Sequence, residues 1–251
     1  MTKRGMLLID RGSREKEASD ELAILCDMVK KIRPYDSVEY CFLEVLPPFI
    51  EEGVTKALKH NLDELVLVPY FLYPGKKVKA AVTDAMKLQK NTKTKFLITR
   101  PMSMHPAMSK LVRNRISTAK NENGIELDDT KTDVLIIGHG SKDPNAAMSI
   151  QYVVDSLKST YRNVTHCFLE IEKPNICQGV STCEKNSPKV LVIVFYFLHK
   201  GAHVKRDIYE DLNPALDAAS VGKTIITKHI GADEAMANLI CERAREVEDA
   251  D

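Results

Sequence analysis

The chain repeats itself, and the repeat limits what it can fold into. Leu7–Ser13 reads LLIDRGS, and Leu135–Ser141, 128 residues later, reads LIIGHGS. FLE at 42–44 returns at 168–170 and YFL at 70–72 returns at 196–198, both 126 residues on. Pro48 and Pro174, Gly75 and Gly201, and the Ile-Thr pairs at 98–99 and 226–227 keep step with them. Offsets this uniform mark a duplication with small loop differences, so whatever one copy folds into the other must fold into as well. Thr118–Asp133 is polar, contains Asn-Gly and Asp-Asp, and reads as a linker. The expected division is therefore a half at 1–118, a linker at 119–132 and a half at 133–251.

Within a copy the hydrophobic period alternates. Gly5–Ile9, Val38–Leu43, Leu65–Leu72 and Phe96–Thr99 read as strands. Between them Ala18, Leu22, Leu25, Val29 and Ile32 recur at helical steps, and Pro48–Leu58, Val78–Leu88 and Pro106–Ile116 suit helices. The second copy follows suit, with its last helix at Asp233–Val247 and Asn213-Pro214 expected to interrupt its third. Val190–Leu198 is nine apolar residues, the mark of a strand buried on both faces. Four strand–helix repeats mean a parallel sheet with helices on both faces. The fold class predicted is α/β, with two tandem four-stranded halves related by a pseudo-twofold and facing each other across a cleft.

Composition removes several functions. A net charge of +1 gives no pull towards nucleic acid or membrane. No apolar run nears the roughly 18 residues of a membrane span, and MTKRGMLLID lacks the features of a signal peptide. The six cysteines form no CxxC, which predicts reduced thiols and a cytoplasmic protein. Cys177 and Cys183, on one predicted helix, have poor ligand spacing and read as buried thiols.

Each half is a control for the other. Arg11 aligns with His139, Lys77 with His203, Tyr73 with His199 and Leu46 with Glu172, so the imidazoles belong to the second half. His139 lies between Gly138 and Gly140 directly after a strand, and His203 follows the strand at 190–198. Both reach the carboxyl edge of one sheet, where open α/β sheets bind ligands. A lone histidine there would simply cap a turn; two neutral imidazoles form a site for Co²⁺, Ni²⁺, Fe²⁺ or Zn²⁺. Glu170 offers a third ligand or a proton relay, although Glu44 survives in the half without histidines, which equally suits a scaffold role. Glu172 has no counterpart and is the more asymmetric carboxylate. His199 reads as a loop residue, either functional or on the surface. Lys200, Lys205 and Arg206, with Arg11, Arg14, Lys76, Lys77 and Lys79 of the first half, concentrate cations where a polyanionic ligand would bind. His60, His105, His166 and His229 have no motif around them and read as structural or exposed.

GHGS after the first strand, FLE followed by a proline, and FYFLHKGAHVKRDI together resemble the sirohydrochlorin chelatases, the class II chelatases of cobalamin and sirohaem synthesis. The resemblance covers the whole chain as two copies, only the second complete. It implies flavodoxin-like halves around an active-site cleft and ATP-independent insertion of a divalent metal into sirohydrochlorin, an octacarboxylate tetrapyrrole. It implies His139 as metal ligand and proton acceptor, His203 as metal ligand, and Leu198, His199, Lys200, Gly201 and Ala202 as a substrate-contacting loop. Many members carry Glu immediately before the motif's proline; here Lys173 stands there and Glu172 one residue earlier. Longer members carry the histidine pair in the first half, whereas here that half has Arg11 and Lys77. The expected partners are sirohydrochlorin and a divalent ion taken as substrate, Co²⁺ first and Fe²⁺ or Ni²⁺ as alternatives, with no prosthetic group. The chain is expected as a monomer or homodimer. A metal carrier using the same histidines, or a tetrapyrrole-binding module without catalysis, are the readings from other classes.

Overall fold

The computed structural model describes residues 2–201 and 206–249. The first run of elements is β1 (Arg4–Asp10), α1 (Lys16–Ile32), β2 (Ser37–Phe42), α2 (Ile50–Leu58), β3 (Glu64–Pro69), α3 (Lys76–Gln89), β4 (Lys95–Ile98) and α4 (Pro106–Glu122). A 3₁₀ turn at Asp129–Lys131 leads into β5 (Asp133–Gly138), α5 (Pro144–Leu157), β6 (Asn163–Phe168), α6 (Ile176–Lys185), β7 (Val190–Phe195), α7 (Ile208–Ala218), β8 (Lys223–Ile226) and α8 (Glu234–Glu248). The strands form two four-stranded sheets of order β2-β1-β3-β4 and β6-β5-β7-β8. Every pairing is parallel, with Gly5 opposite Ser37 and Leu65, and Asp133 opposite Asn163 and Leu191. The chain changes direction across the sheet between β1 and β3, and again between β5 and β7. At such switch points open α/β sheets bind ligands outside the carboxyl ends of the strands. Among the described residues no helix is long and apolar enough to cross a membrane.

The apolar period explains the packing. α1 buries Ala18, Leu22, Leu25, Cys26 and Val29, the stripe its spacing predicts. β5 and β7 are buried along their whole length, as a parallel strand covered on both faces must be. The helix after each second strand lies close against it. A Cβ added to Gly53 would fall 2.5 Å from Cys41 Cβ, and one on Gly179 would fall 2.7 Å from Cys167 Cβ. Cys41 and Cys167 are thus core thiols. Cys183 is also buried, but Cys177 on the same helix is exposed, which corrects the expectation for that residue.

Four expectations change. First, the compact units do not follow the repeat: one comprises 1–103 with 232–251, the other 104–231. The last helix of each copy therefore packs with the opposite copy's sheet. Equivalent arginines serve equivalent roles in the two units. Arg243 of α8 donates to Ser103 O at 2.7 Å, and Arg115 of α4 donates to His229 O at 3.1 Å and to Ile230 O. Second, the segment 119–132 is not a free linker. α4 runs to Glu122, and Lys120 is buried with its Nζ 2.6 Å from Leu127 O. Third, Pro214 lies inside α7 without ending it. Pro214 and Glu210, whose carbonyl it leaves without a helical donor, are both exposed, so water can serve that carbonyl. Fourth, β7 stops at Phe195, because β5 ends at Gly138 and offers no further ladder. Tyr196 makes one more bond to Ile137 O at 3.0 Å, and Phe197 N turns back to Phe195 O at 3.1 Å.

α8 is secured by charge as well as apolar contact. The Glu248 side chain is fully buried; it accepts from Tyr35 Oη at 2.8 Å, pairs with Arg33, and lies 3.7 Å from Arg4. Burial first, then Glu248, pushes the Tyr35 phenol well up. Removing the carboxylate would leave the partly buried Arg33 guanidinium without its anion and the Tyr35 hydroxyl without its acceptor, while Arg4 keeps Glu64. Glu248→Ala is expected to cost about 2–3 kcal/mol of unfolding free energy, measured by denaturant melts; a loss under about 0.5 kcal/mol would contradict this role for the pair.

Candidate metal centre

His139 is the first residue after β5 and is held by the turn it begins. Gly140 has φ 91°, and a Cβ there would fall 1.9 Å from Glu170 O, so only glycine lets the two loops meet. Leu169 N donates to Gly138 O at 2.9 Å and Glu170 N to His139 O at 3.1 Å, extending the β5–β6 ladder by two rungs. This brings Glu170 Oε1 to 3.2 Å from His139 Nε2. The other ring nitrogen, Nδ1, lies 3.2 Å from Gly140 O. Nδ1 thus faces a carbonyl and Nε2 a carboxylate, both acceptors, and a neutral imidazole has one N–H to donate between them. Phe197, buried just past β7, backs the imidazole edge-on at 6.4 Å between ring centroids. The His139 side chain remains 28% exposed, open enough to receive a ligand.

Glu172 serves the turn instead. Its Oε2 accepts from Ser141 N at 2.8 Å, and Ser141 Oγ accepts from Asp143 N at 3.0 Å. Leu198, His199 and Gly201 are half-buried after β7, on the same sheet edge as His139; Lys200 and Lys173 are exposed. Ala202 and His203 lie outside the described residues, as does Lys205. Among the described residues no group of three or more His, Cys, Asp or Glu is gathered to hold a metal, so the centre seen is the His139–Glu170 pair. His105 is structural, as its lack of a motif suggested: its Nδ1 accepts from Ala107 N at 3.2 Å and caps α4. His166 is half-buried on β6, and burial lowers its pKa.

The first unit builds the same loops around different chemistry. Gly12 has φ 98°, and a Cβ there would fall 2.1 Å from Glu44 O. Glu44 N donates to Arg11 O at 3.1 Å, as Glu170 N does to His139 O. Here Arg11 Nε reaches Glu44 Oε1 at 2.8 Å and Lys77 Nζ reaches Glu44 Oε2 at 2.6 Å. The two cations that replace His139 and His203 by alignment grip one carboxylate. Hydrogen bonds from Lys77 and then Arg11 hold the Glu44 carboxyl below the usual range. Its pairing is therefore complete at neutral pH and is lost only as acid protonates it. Arg11 stays 57% exposed and bonds Glu44 through Nε.

Sequence reasoning weighed Glu170 but missed that it touches His139; the shared glycine turn was the available signal. It also missed Phe197 as the wall behind the imidazole. Gly140→Ala is expected to push Glu170 away from His139 and weaken Co²⁺ binding at least tenfold by titration, while the far-UV spectrum stays native. Unchanged affinity would show that the two loops need not touch for the site to work.

A family model described as CbiX matches residues 5–119 and 133–247. The sirohydrochlorin cobaltochelatase of Priestia megaterium is 28% identical over 209 residues, 81% of this chain and 67% of its own. The sirohydrochlorin ferrochelatase of the same organism is 22% identical over 244 residues, 96% of this chain and 89% of its own. Among solved structures, SirB from Bacillus subtilis with Fe³⁺ matches with a TM-score of 0.84 at 23% identity, covering 97% of this chain and 95% of that one. SirB from Bacillus subtilis subspecies spizizenii in complex with cobalt gives 0.78 at 20% identity, covering 99% and 97%. At these identities the structural likeness establishes the fold.

Proposed function

The chain belongs to the CbiX family, and we propose that it inserts a divalent metal ion, Co²⁺ by preference, into sirohydrochlorin without ATP. The observation that carries this reading is the His139 Nε2–Glu170 Oε1 pair, 3.2 Å apart. A first-row ion held at about 2.1 Å from each would subtend an angle of about 100° there, close to tetrahedral or octahedral geometry. His203, two residues past Gly201, is the proposed third ligand. Its aligned position in the first unit is Lys77, whose Nζ touches the carboxylate equivalent to Glu170.

The chemistry follows from what insertion requires. The ion must lose water and two pyrrole N–H protons must leave. The neutral imidazoles of His139 and His203 and the carboxylate of Glu170 replace aqua ligands and present the ion to the ring. As pyrrole nitrogens displace them, the freed imidazoles are bases able to take the protons near neutral pH. Leu198, His199, Lys200, Gly201 and Ala202 would border the macrocycle. Arg11, an exposed guanidinium, is the proposed partner of a peripheral carboxylate. Cobalt is put first because the family that the motifs resemble includes many cobaltochelatases. Relatives of both names, cobaltochelatase and ferrochelatase, match this chain, so the choice of metal rests on the assay.

Competition of Co²⁺, Fe²⁺ and Ni²⁺ for sirohydrochlorin, followed by absorption, tests this directly. Many turnovers per chain are expected, fastest with Co²⁺. Metal binding with no change in sirohydrochlorin would indicate a carrier, and a stoichiometric spectral shift would indicate a binding module. Imidazoles titrate near pH 6.5 and bind metal only when neutral, so activity is expected to fall below about pH 6; a flat profile to pH 5 would contradict histidine ligation. Arg11→Ala is expected to raise the KM for sirohydrochlorin several-fold more than it lowers kcat, and a normal KM would remove Arg11 from the substrate site.

A further inference from the structure

Val45 and Ile171 occupy equivalent places, one residue after Glu44 and Glu170. Both have positive φ, 81° and 70°. Each is the centre of a γ-turn: Leu46 N donates to Glu44 O at 3.1 Å and Glu172 N to Glu170 O at 2.8 Å. A γ-turn with positive φ at its centre is the rare, strained form, and a β-branched side chain is the least suited to it. Glycine or asparagine would sit there with less strain. Packing inside the chain does not repay that strain, because Val45 is 48% exposed and Ile171 54% exposed. The backbone disfavours a branched apolar residue, and half of each side chain faces solvent, yet both copies keep one.

Held strain of this kind is expected where a ligand uses it. The ligand would sit beside Glu170, which touches His139, and beside Glu172, which ties the following turn. In the first unit a Cβ on Gly12 would lie 3.3 Å from Val45 Cβ, so Val45 rests on the turn that carries Arg11. We propose that Ile171, with Val45 as its counterpart, is a substrate-contact residue that meets the apolar face of the tetrapyrrole; this rests on the sirohydrochlorin reading above. The γ-turn leaves Ile171 54% exposed beside Glu170, so that charged neighbours take the rim carboxylates while its branched methyls take the conjugated ring.

The test compares Ile171→Gly, Ile171→Asn and Ile171→Val in the full chain. Glycine and asparagine relieve the turn, so both variants are expected to melt about 2–4 °C higher than the parent. Both should also bind metal-free sirohydrochlorin about fivefold more weakly by absorption titration. The KM for sirohydrochlorin should rise with little change in kcat or in Co²⁺ affinity, and Ile171→Val should retain parental affinity. If Gly and Asn variants melt higher yet bind sirohydrochlorin as the parent does, the contact is disproved while the chelatase reading stands. If they melt lower, the side chain is structural and the proposal also fails. A parent protein that binds sirohydrochlorin but turns over no metal would defeat the chelatase reading and leave the contact testable by the same titration. A parent that binds none would defeat both.

Discussion

The site depends on a single backbone contact, the turn after the first strand of each repeat lying against the carbonyl of the glutamate that follows the second strand. A glycine makes it possible, since a Cβ on Gly12 or Gly140 would fall within about two ångströms of that oxygen. The contact extends the parallel ladder beyond the sheet and sets residue 11 beside Glu44, and residue 139 beside Glu170. Once the loops are joined in this way, the residue just before the turn glycine determines the chemistry. Arginine there makes an ion pair with the glutamate; histidine sets a ring nitrogen beside a carboxylate, two donor atoms of the kind that suit a divalent cation.

Duplication freed one copy to change. The first unit keeps the glutamate but saturates it with two permanent charges, and nothing in that arrangement invites a metal. The second unit keeps the titratable partner. Exchange of the last helix between the copies adds a constraint of its own, because neither repeat can complete its layers from its own sequence. The buried carboxylate of Glu248 and the paired arginines Arg115 and Arg243 put directional bonds behind that exchange, where apolar contact alone would be permissive.

Most of the fold was legible because it is written in local period and in repetition. The stripe on α1, the apolar strands and the parallel sheets implied by alternation needed no tertiary information. The helix exchange was hidden for a physical reason: an amphipathic pattern says that a face is buried, not which sheet buries it. Pro214 misled because a proline's cost depends on whether solvent reaches the carbonyl it abandons. At the site, His139 stood out by contrast with Arg11. Glu172 stood out because it lacked a counterpart, and the structure has it accept from Ser141 N. Ile171 gave no signal at all, since a γ-turn with positive φ normally advertises itself by glycine or asparagine, and here it does neither.

The account turns on which copy of the duplicated site accepts an ion. A crystal structure of the protein soaked with Co²⁺, read by anomalous scattering at the cobalt edge, answers that. The account predicts one ion per chain bound by His139 Nε2, Glu170 and His203, with none at Arg11, Glu44 and Lys77. Cobalt at Glu44, or at neither glutamate, would contradict it.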